Sequence, residues 1–396
     1  MGPQQIVVDS YFDGQHLNAR GPYVFSLSQG LIQAIRQGEC LDPDVLTQRG
    51  VFLMPGMVEA HCHLFLDGGE LDLSKRAAYL KFSREAMLAV GRQSLAQAAA
   101  AGISLVRDAG DIHGINLQLR SEQGALSATN PTVLCPGRAI RNAGRYGGFM
   151  ATAMTDEASL DALVADLAGE ADQVKILMTG LIDFEAGEVK GPPQFTLQQA
   201  RRITQIAKAR GRRTFAHCSG VAGIDIALAA GIDSIEHGFF ITRQQLRVMA
   251  DQGVSWVPTF SPVHFQWARP ELAGWSAQTV TKLEQILDGH RQQLAYAYEI
   301  GVPVLVGSDA GSPGVRHGYS YVEELMLMGG AGVRLEQILH SATALPRRLW
   351  GCTAANIAIG SSADMVLFDK SPFDDLAALR NVAATYKGGN LQIVSA

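Results

Sequence analysis

Two histidines separated by one residue close a hydrophobic stretch, Pro55-Gly56-Met57-Val58-Glu59-Ala60-His61-Cys62-His63. In an extended strand side chains alternate faces, so His61 and His63 aim the same way and Cys62 the opposite way. Two imidazoles on one face can share a metal, although a lone buried histidine is more often a hydrogen-bonded core residue. Further ligands are therefore needed, and other apolar runs offer them. Lys175 lies inside "QVKILMTG", His217 ends "TFAHC", His237 ends "SIEHG" and Asp309 ends "VGSD". Of these the lysine is the odd member, since a buried ammonium is costly unless paired or neutralised. Addition of carbon dioxide would turn it into an anionic carbamate able to bridge two cations.

The elements that must position these side chains are legible as alternation. Eight β-like runs occur, at "VFLMPGMVEAH", "GISLVRDAG", "PTVLCPGRAI", "QVKILMTG", "RRTFAHC", "DSIEHG", "VSWVPTF" and "VPVLVGSD". Helical patterns such as "SLDALVADLAGEA" and "TLQQARRITQIAKARG" separate most of them, the second opening with a Thr196/Gln199 capping box. Eight strands alternating with helices predict an α/β fold, a (β/α)8 TIM-like barrel over residues 55–354, with its chemistry at the carboxyl ends of the strands. A doubly wound open sheet is the alternative, but no Gly-rich phosphate loop follows the first run. Short strand and turn patterns in residues 1–54 and 355–396 predict a small β-sandwich domain built from both ends of the sequence.

Composition narrows the function. With 47% hydrophobic and 18% charged residues among 396, the chain reads as a well-buried globular protein. A net charge of −5 without long Lys/Arg runs argues against nucleic acid as a partner. Cys40, Cys62, Cys135, Cys218 and Cys352 are scattered and form no C-x-x-C pair. They read as reduced thiols, which suits a cytoplasmic location. No signal peptide, myristoylation site or apolar run of about 20 residues is apparent, so no membrane partner is expected.

Taken together, "PGMVEAHCH", "VKILMTG", "AHC", "SIEHG", "SDAG" and the tail "IAIGSSADMVLFD" resemble the amidohydrolase superfamily, in its imidazolonepropionase-like and Xaa-amino-acid dipeptidase (prolidase-like) branch. The resemblance spans nearly the whole chain and implies a binuclear metal centre. It assigns His61 and His63 to the more buried ion, His217 and His237 to the more exposed one, and a carboxylated Lys175 as the bridge between them. Asp309 would bind the buried ion and take a proton from a bridging hydroxide. Zinc is the first choice of metal, with manganese, cobalt and iron also compatible. The implied activity is hydrolysis of the amide bond of a dipeptide or N-acyl amino acid. Hydrolysis of a cyclic imide, lactam or lactone, or deamination of a heterocycle, is the alternative. A catalytically silent protein would be expected to lack a ligand, and none of the six is missing.

One departure stands out. Relatives often carry Gly-Gly-His-Gly after the third strand, with the histidine polarising the substrate carbonyl, whereas this chain reads "RNAGRYGGFM" and places Tyr146 at or beside that position, which is equally compatible with a different substrate. A phenol can also donate to a developing oxyanion. His264, after the seventh run, is a candidate catalytic and substrate-contacting residue. Arg316 and His317, just beyond Asp309, are candidates too, the arginine as a bidentate clamp for a substrate carboxylate. Asp108 reads as structural and His113 as a solvated loop residue. His16, His290 and His340 read as bystanders, and Cys62 and Cys218 as packing residues. Large barrels often pair, so a homo-oligomer is compatible with this reading, but no residue names the surface.

Overall fold

Gly56 divides the first apolar run in two. In the computed structural model, which describes residues 4–39, 41–122 and 130–393, Phe52–Pro55 and Met57–Cys62 are separate strands of different sheets. A Cβ on Gly56 would stand 2.2 Å from Ser104 Oγ, so a side chain has no room at this junction. Cys40 and the first three residues lie outside the described residues; Cys62, Cys135, Cys218 and Cys352 carry free thiols.

Phe52–Pro55 pairs antiparallel with Met365–Phe368, so both ends of the sequence meet in one sheet. Its order is Asn390–Ile393, Val382–Lys387, Met365–Phe368, Phe52–Pro55, Ser10–Phe12 and Leu17–Asn18. A four-stranded sheet runs Leu31–Gln37, Tyr23–Ser28, Gln4–Val8 and Leu46–Arg49. Ile6, Phe25 and Leu27 of the second sheet share an apolar cluster with Leu53, Met365 and Tyr386 of the first.

Between these segments two sheets are parallel, beside a short antiparallel hairpin of Ile182–Asp183 with Glu188–Val189. Met57–Cys62, Ile103–Asp108 and Thr132–Leu134 form one sheet. Ala151–Met154, Ala139–Asn142, Gln173–Leu177, Arg213–Cys218, Ser234–His237 and Ser255–Val257 form another, in that order. Helices at Arg84–Ala100, Leu160–Glu170, Leu197–Ala209, Val221–Ala230, Arg243–Gln252 and Ala277–Glu299 make the crossovers that parallel pairing requires. Strands covered on both faces read as continuous apolar runs, and every residue of Gln173–Leu177 is buried, Lys175 included. The Thr196/Gln199 capping box is present in full.

Besides the run divided at Gly56, two further expected strands differ. "PTVLCPGRAI" breaks at Cys135–Arg138, where both backbone polar groups of Cys135 bond to Asp172: its N–H donates to the carboxylate at 3.0 Å and its carbonyl accepts from Asp172 N at 2.9 Å. "VPVLVGSD" forms no continuous strand; Val304 makes a single bridge with Trp256, and Ala310, the next residue after the run, makes one with Cys62. Leu305 N donates to Trp256 O and Ala60 N to Val306 O, both at 2.8 Å, so this segment spans from one parallel sheet to the other. The described strands thus form a mixed α/β fold with two parallel sheets and no closed ring. No helix among the described residues is long and apolar enough to cross a membrane.

Candidate metal centre

His61 is the fifth residue of a fully buried strand, and His63 follows it directly. Asp309 is brought to them by the bridging segment, its N–H donating to His61 O at 2.8 Å. The result is convergence: one ligand atom each from His61, His63 and Asp309 lie within 4.8 Å of one another. Asp309 Oδ1 stands 3.7 Å from His61 Nε2 and 3.5 Å from His63 Nε2. That oxygen is buried and has no hydrogen-bond partner.

The other candidates continue from this group. The His237 ring lies 4.9 Å from that of His61, and the His217 ring 4.7 Å from that of His237. Tyr146, half-buried, follows at 5.5 Å from His217. Lys175 is buried, its Nζ 4.7 Å from the centre of the Phe215 ring. Backbone strain gathers here as well. His237, Thr259 and Asp309 have φ of 66°, 48° and 59°, a conformation that costs a side-chain-bearing residue of the order of 1–3 kcal/mol. The His237 conformation is held by Thr259 Oγ1, 2.7 Å from its Nδ1, and by Trp256 Nε1, which donates to its carbonyl at 3.0 Å.

Burial dominates the electrostatics. It lowers the His63 imidazole to about 3 and that of His217 to about 4, with the Lys175 ammonium adding to both. His61 and His237 are pushed well down by burial, then by Lys175 and His217 respectively. Burial also brings Lys175 down to about 8 and raises Asp309 to about 7, the latter opposed by Lys175. Two neutral imidazoles beside an unpartnered carboxylate oxygen, with two further neutral imidazoles in succession, fit a divalent first-row metal.

The remaining predicted residues divide. His264 and Arg316 line one cavity of about 440 Å³, bounded by Gly68 and Gly314 from the loops after His63 and Asp309. Arg316 is exposed, its guanidinium 4.3 Å above the Tyr319 ring. His317 is buried, with Nε2 3.2 Å from Leu66 O, and so ties down the loop that follows His63. Asp108 accepts from Leu64 N, Gly110 N and Asn116 Nδ2. His113 lies 6.1 Å from the Phe65 ring. His290 stacks on Phe239 at 4.0 Å, His340 meets Gly14 O and His16 is exposed. Cys62 Sγ points to Arg107 O, off the metal-facing side.

Sequence reasoning missed Glu59, Arg107, Glu236 and Thr259. Glu59 accepts from His61 N at 3.1 Å and from Ser308 N and Oγ at 2.9 and 2.5 Å, holding the two ligand-bearing segments together. The available signal was the one that singled out Lys175: a charged residue inside an apolar run, as in "ISLVRD" and "SIEH".

Residues 52–392 match the model of the amidohydrolase family. An uncharacterized protein of Mycobacterium tuberculosis strain H37Rv is 27% identical over 327 residues, 82% of this chain and 80% of its own. Ochratoxinase of Aspergillus niger is 26% identical over 204 residues, 50% of this chain and 42% of that protein. Its crystal structure superposes with a TM-score of 0.81 at 19% identity, covering 98% of this chain and 95% of that one. A Xaa-Pro dipeptidase crystallised with methionine in its active site superposes with a TM-score of 0.84 at 22% identity, covering 99% and 100%.

Proposed function

The chain belongs to the amidohydrolase family, and from that premise we propose that it is a metal-dependent hydrolase cleaving the amide bond of a dipeptide or an N-acyl amino acid. The observation that carries the reading is the convergence of His61, His63 and Asp309, with the His237 and His217 rings in succession beside them. His61, His63 and Asp309 would hold the more buried of two divalent ions and His217 and His237 the other, zinc being the first candidate. Lys175, as a carbamate, would bridge them, replacing a cation among four imidazoles by an anion. When bound, the two ions supply Lewis acidity toward the scissile carbonyl and lower the pKa of a water.

The chain's own groups do the rest. Asp309 holds the proton that must reach the leaving amine. Burial keeps the Tyr146 phenol protonated, so it can donate to the carbonyl oxygen as charge develops there. The Arg316 guanidinium, beside His264 in their shared cavity, clamps the substrate carboxylate, and His317 holds the loop beneath it. The likeness to the Xaa-Pro dipeptidase structure supports an amino-acid-derived substrate. In this reading the two parallel sheets are arcs of one (β/α)8 barrel over residues 55–354, and residues 1–54 with 355–396 make a β-sandwich domain.

The test is release of free amine from a panel of dipeptides and N-acyl amino acids, using protein of measured metal content and Asp309→Asn as control. Release confined to one C-terminal residue class and lost in the variant is the expected result. Silence across the panel from metal-loaded protein would overturn the substrate class and bring cyclic amides and lactones forward.

A further inference from the structure

Glu236 is fully buried one residue before His237, and alternation along the strand sends its side chain away from that ligand. It meets His61 instead: Oε2 lies 2.6 Å from His61 Nδ1. Arg107 Nη2 donates to both Glu236 oxygens, at 2.9 and 2.8 Å, and Ser234 Oγ donates to Oε1 at 2.6 Å. Arg107 is itself fixed, donating from Nε to Ala60 O at 2.8 Å and from Nη1 to Gln173 Oε1 at 3.2 Å, with its guanidinium 4.3 Å from the Phe215 ring centre.

We propose that Glu236, held by Arg107 and Ser234, is a positioning residue that locks His61 as the Nδ1–H tautomer and so aims its Nε2 lone pair at the metal position. With donors on its other sides, Glu236 meets His61 as an acceptor, so the shared hydrogen belongs to Nδ1. The remaining nitrogen, Nε2, is the one that faces Asp309 Oδ1 at 3.7 Å. In the opposite tautomer an Nε2 hydrogen would occupy the coordination direction, and the Nδ1 lone pair would confront a carboxylate. A hydrogen bond to the far nitrogen of a ligating imidazole sets its tautomer and orientation, and loss of such a partner costs about 10–100-fold in metal affinity. His237 has a hydroxyl partner in Thr259 and His217 a backbone carbonyl in Gly180. Among the hydrogen-bond partners of these three imidazoles in the described residues, the carboxylate at His61 stands apart in carrying charge.

The inference rests on the metal reading, and the experiment separates the two. Metal-stripped wild-type and Glu236→Gln proteins are titrated with Zn²⁺ against a competing chelator. The histidine side chains of the zinc-free proteins are read by long-range ¹H–¹⁵N spectra, His61 being identified by the signal lost in His61→Gln. We expect Nδ1–H at His61 in the wild type and zinc affinity about 10–100-fold weaker in Glu236→Gln. Equal zinc affinities in the two proteins, or an Nε2–H tautomer in the wild type, would overturn the proposal while leaving the metal reading intact. Failure of the wild type to bind zinc would defeat the metal reading, and the wild-type tautomer would still decide the Glu236 contact. Should Glu236→Gln not fold, the wild-type spectrum decides alone, with Ser234→Ala expected to weaken zinc binding in the same direction.

Discussion

The proposed function places two demands on the Asp309 carboxylate, as ligand beside His61 and His63 and as the group that holds a proton. Replacing it by Asn keeps the size and one oxygen but removes the basic site. The turnover number for amine release should fall by at least about 100-fold in protein that remains folded, and a change within threefold would remove Asp309 from proton transfer. Lys175 makes a separate prediction. Lys175→Ala takes away the proposed bridge, so metal content measured by atomic absorption should drop from about two ions per chain to about one; full content with full activity would sink the bridging role. These candidate ligands stand out in the sequence because each is a polar residue at the end of, or inside, an apolar run. The Arg107–Glu236 pair was not, because its members are 129 residues apart and only the folded sheets bring them together.

Helix Phe260–Ala268 starts without a side-chain cap of its own, and Glu324 from helix Tyr319–Gly329 supplies the acceptor, taking bonds from Phe260 N, Ser261 N and Ser261 Oγ. Burial raises the Glu324 carboxyl to about 7 despite these bonds. A folded pKa above the ordinary value of 4.5 means the native state binds the proton more tightly. Its contribution is therefore complete below about pH 4.5 and fades as pH rises through about 7, by up to about 3 kcal/mol. Denaturant midpoints between pH 4.5 and 8 should fall with rising pH more steeply in the wild type than in Glu324→Gln, and parallel curves would contradict this. The bridging segment 302–310 gives a second prediction among the elements. A Cβ on Gly307 would stand 2.5 Å from Val257 Cγ1 and 2.8 Å from His61 N. Gly307→Ala should destabilise by about 1–3 kcal/mol and lower metal content by displacing the His61 strand, as thermal unfolding and metal analysis would show. The same closeness explains why "VPVLVGSD" read as a strand and folds as an irregular bridge. Its apolar pattern announces burial, but steric fit against two neighbours decides its hydrogen bonding, and that fit is not written locally. The Thr196/Gln199 box, by contrast, depends on residues three apart and was legible in full.

At the scale of the whole molecule, metal and fold should be linked, because the proposed ligands come from five separated stretches of chain. An ion that binds only the folded state at a hundredfold excess over its Kd adds about 2.7 kcal/mol. Chelation should therefore lower the unfolding temperature and zinc restore it, and identical melting curves with and without chelator would show that the site contributes nothing to stability. The alternation of strands and helices was readable along the chain. The sheet that joins Phe52–Pro55 to Met365–Phe368 was readable only as a likeness between distant ends, since strand pairing over such a separation leaves no local mark. That pairing also has a consequence in time. Phe52–Pro55 finds its partner in Met365–Phe368, and at about 5–20 residues per second the roughly 300 residues between them take about 15–60 s to synthesise. Throughout that interval the nascent protein carries an apolar strand edge whose partner has not yet been made, the kind of exposed edge that favours aggregation.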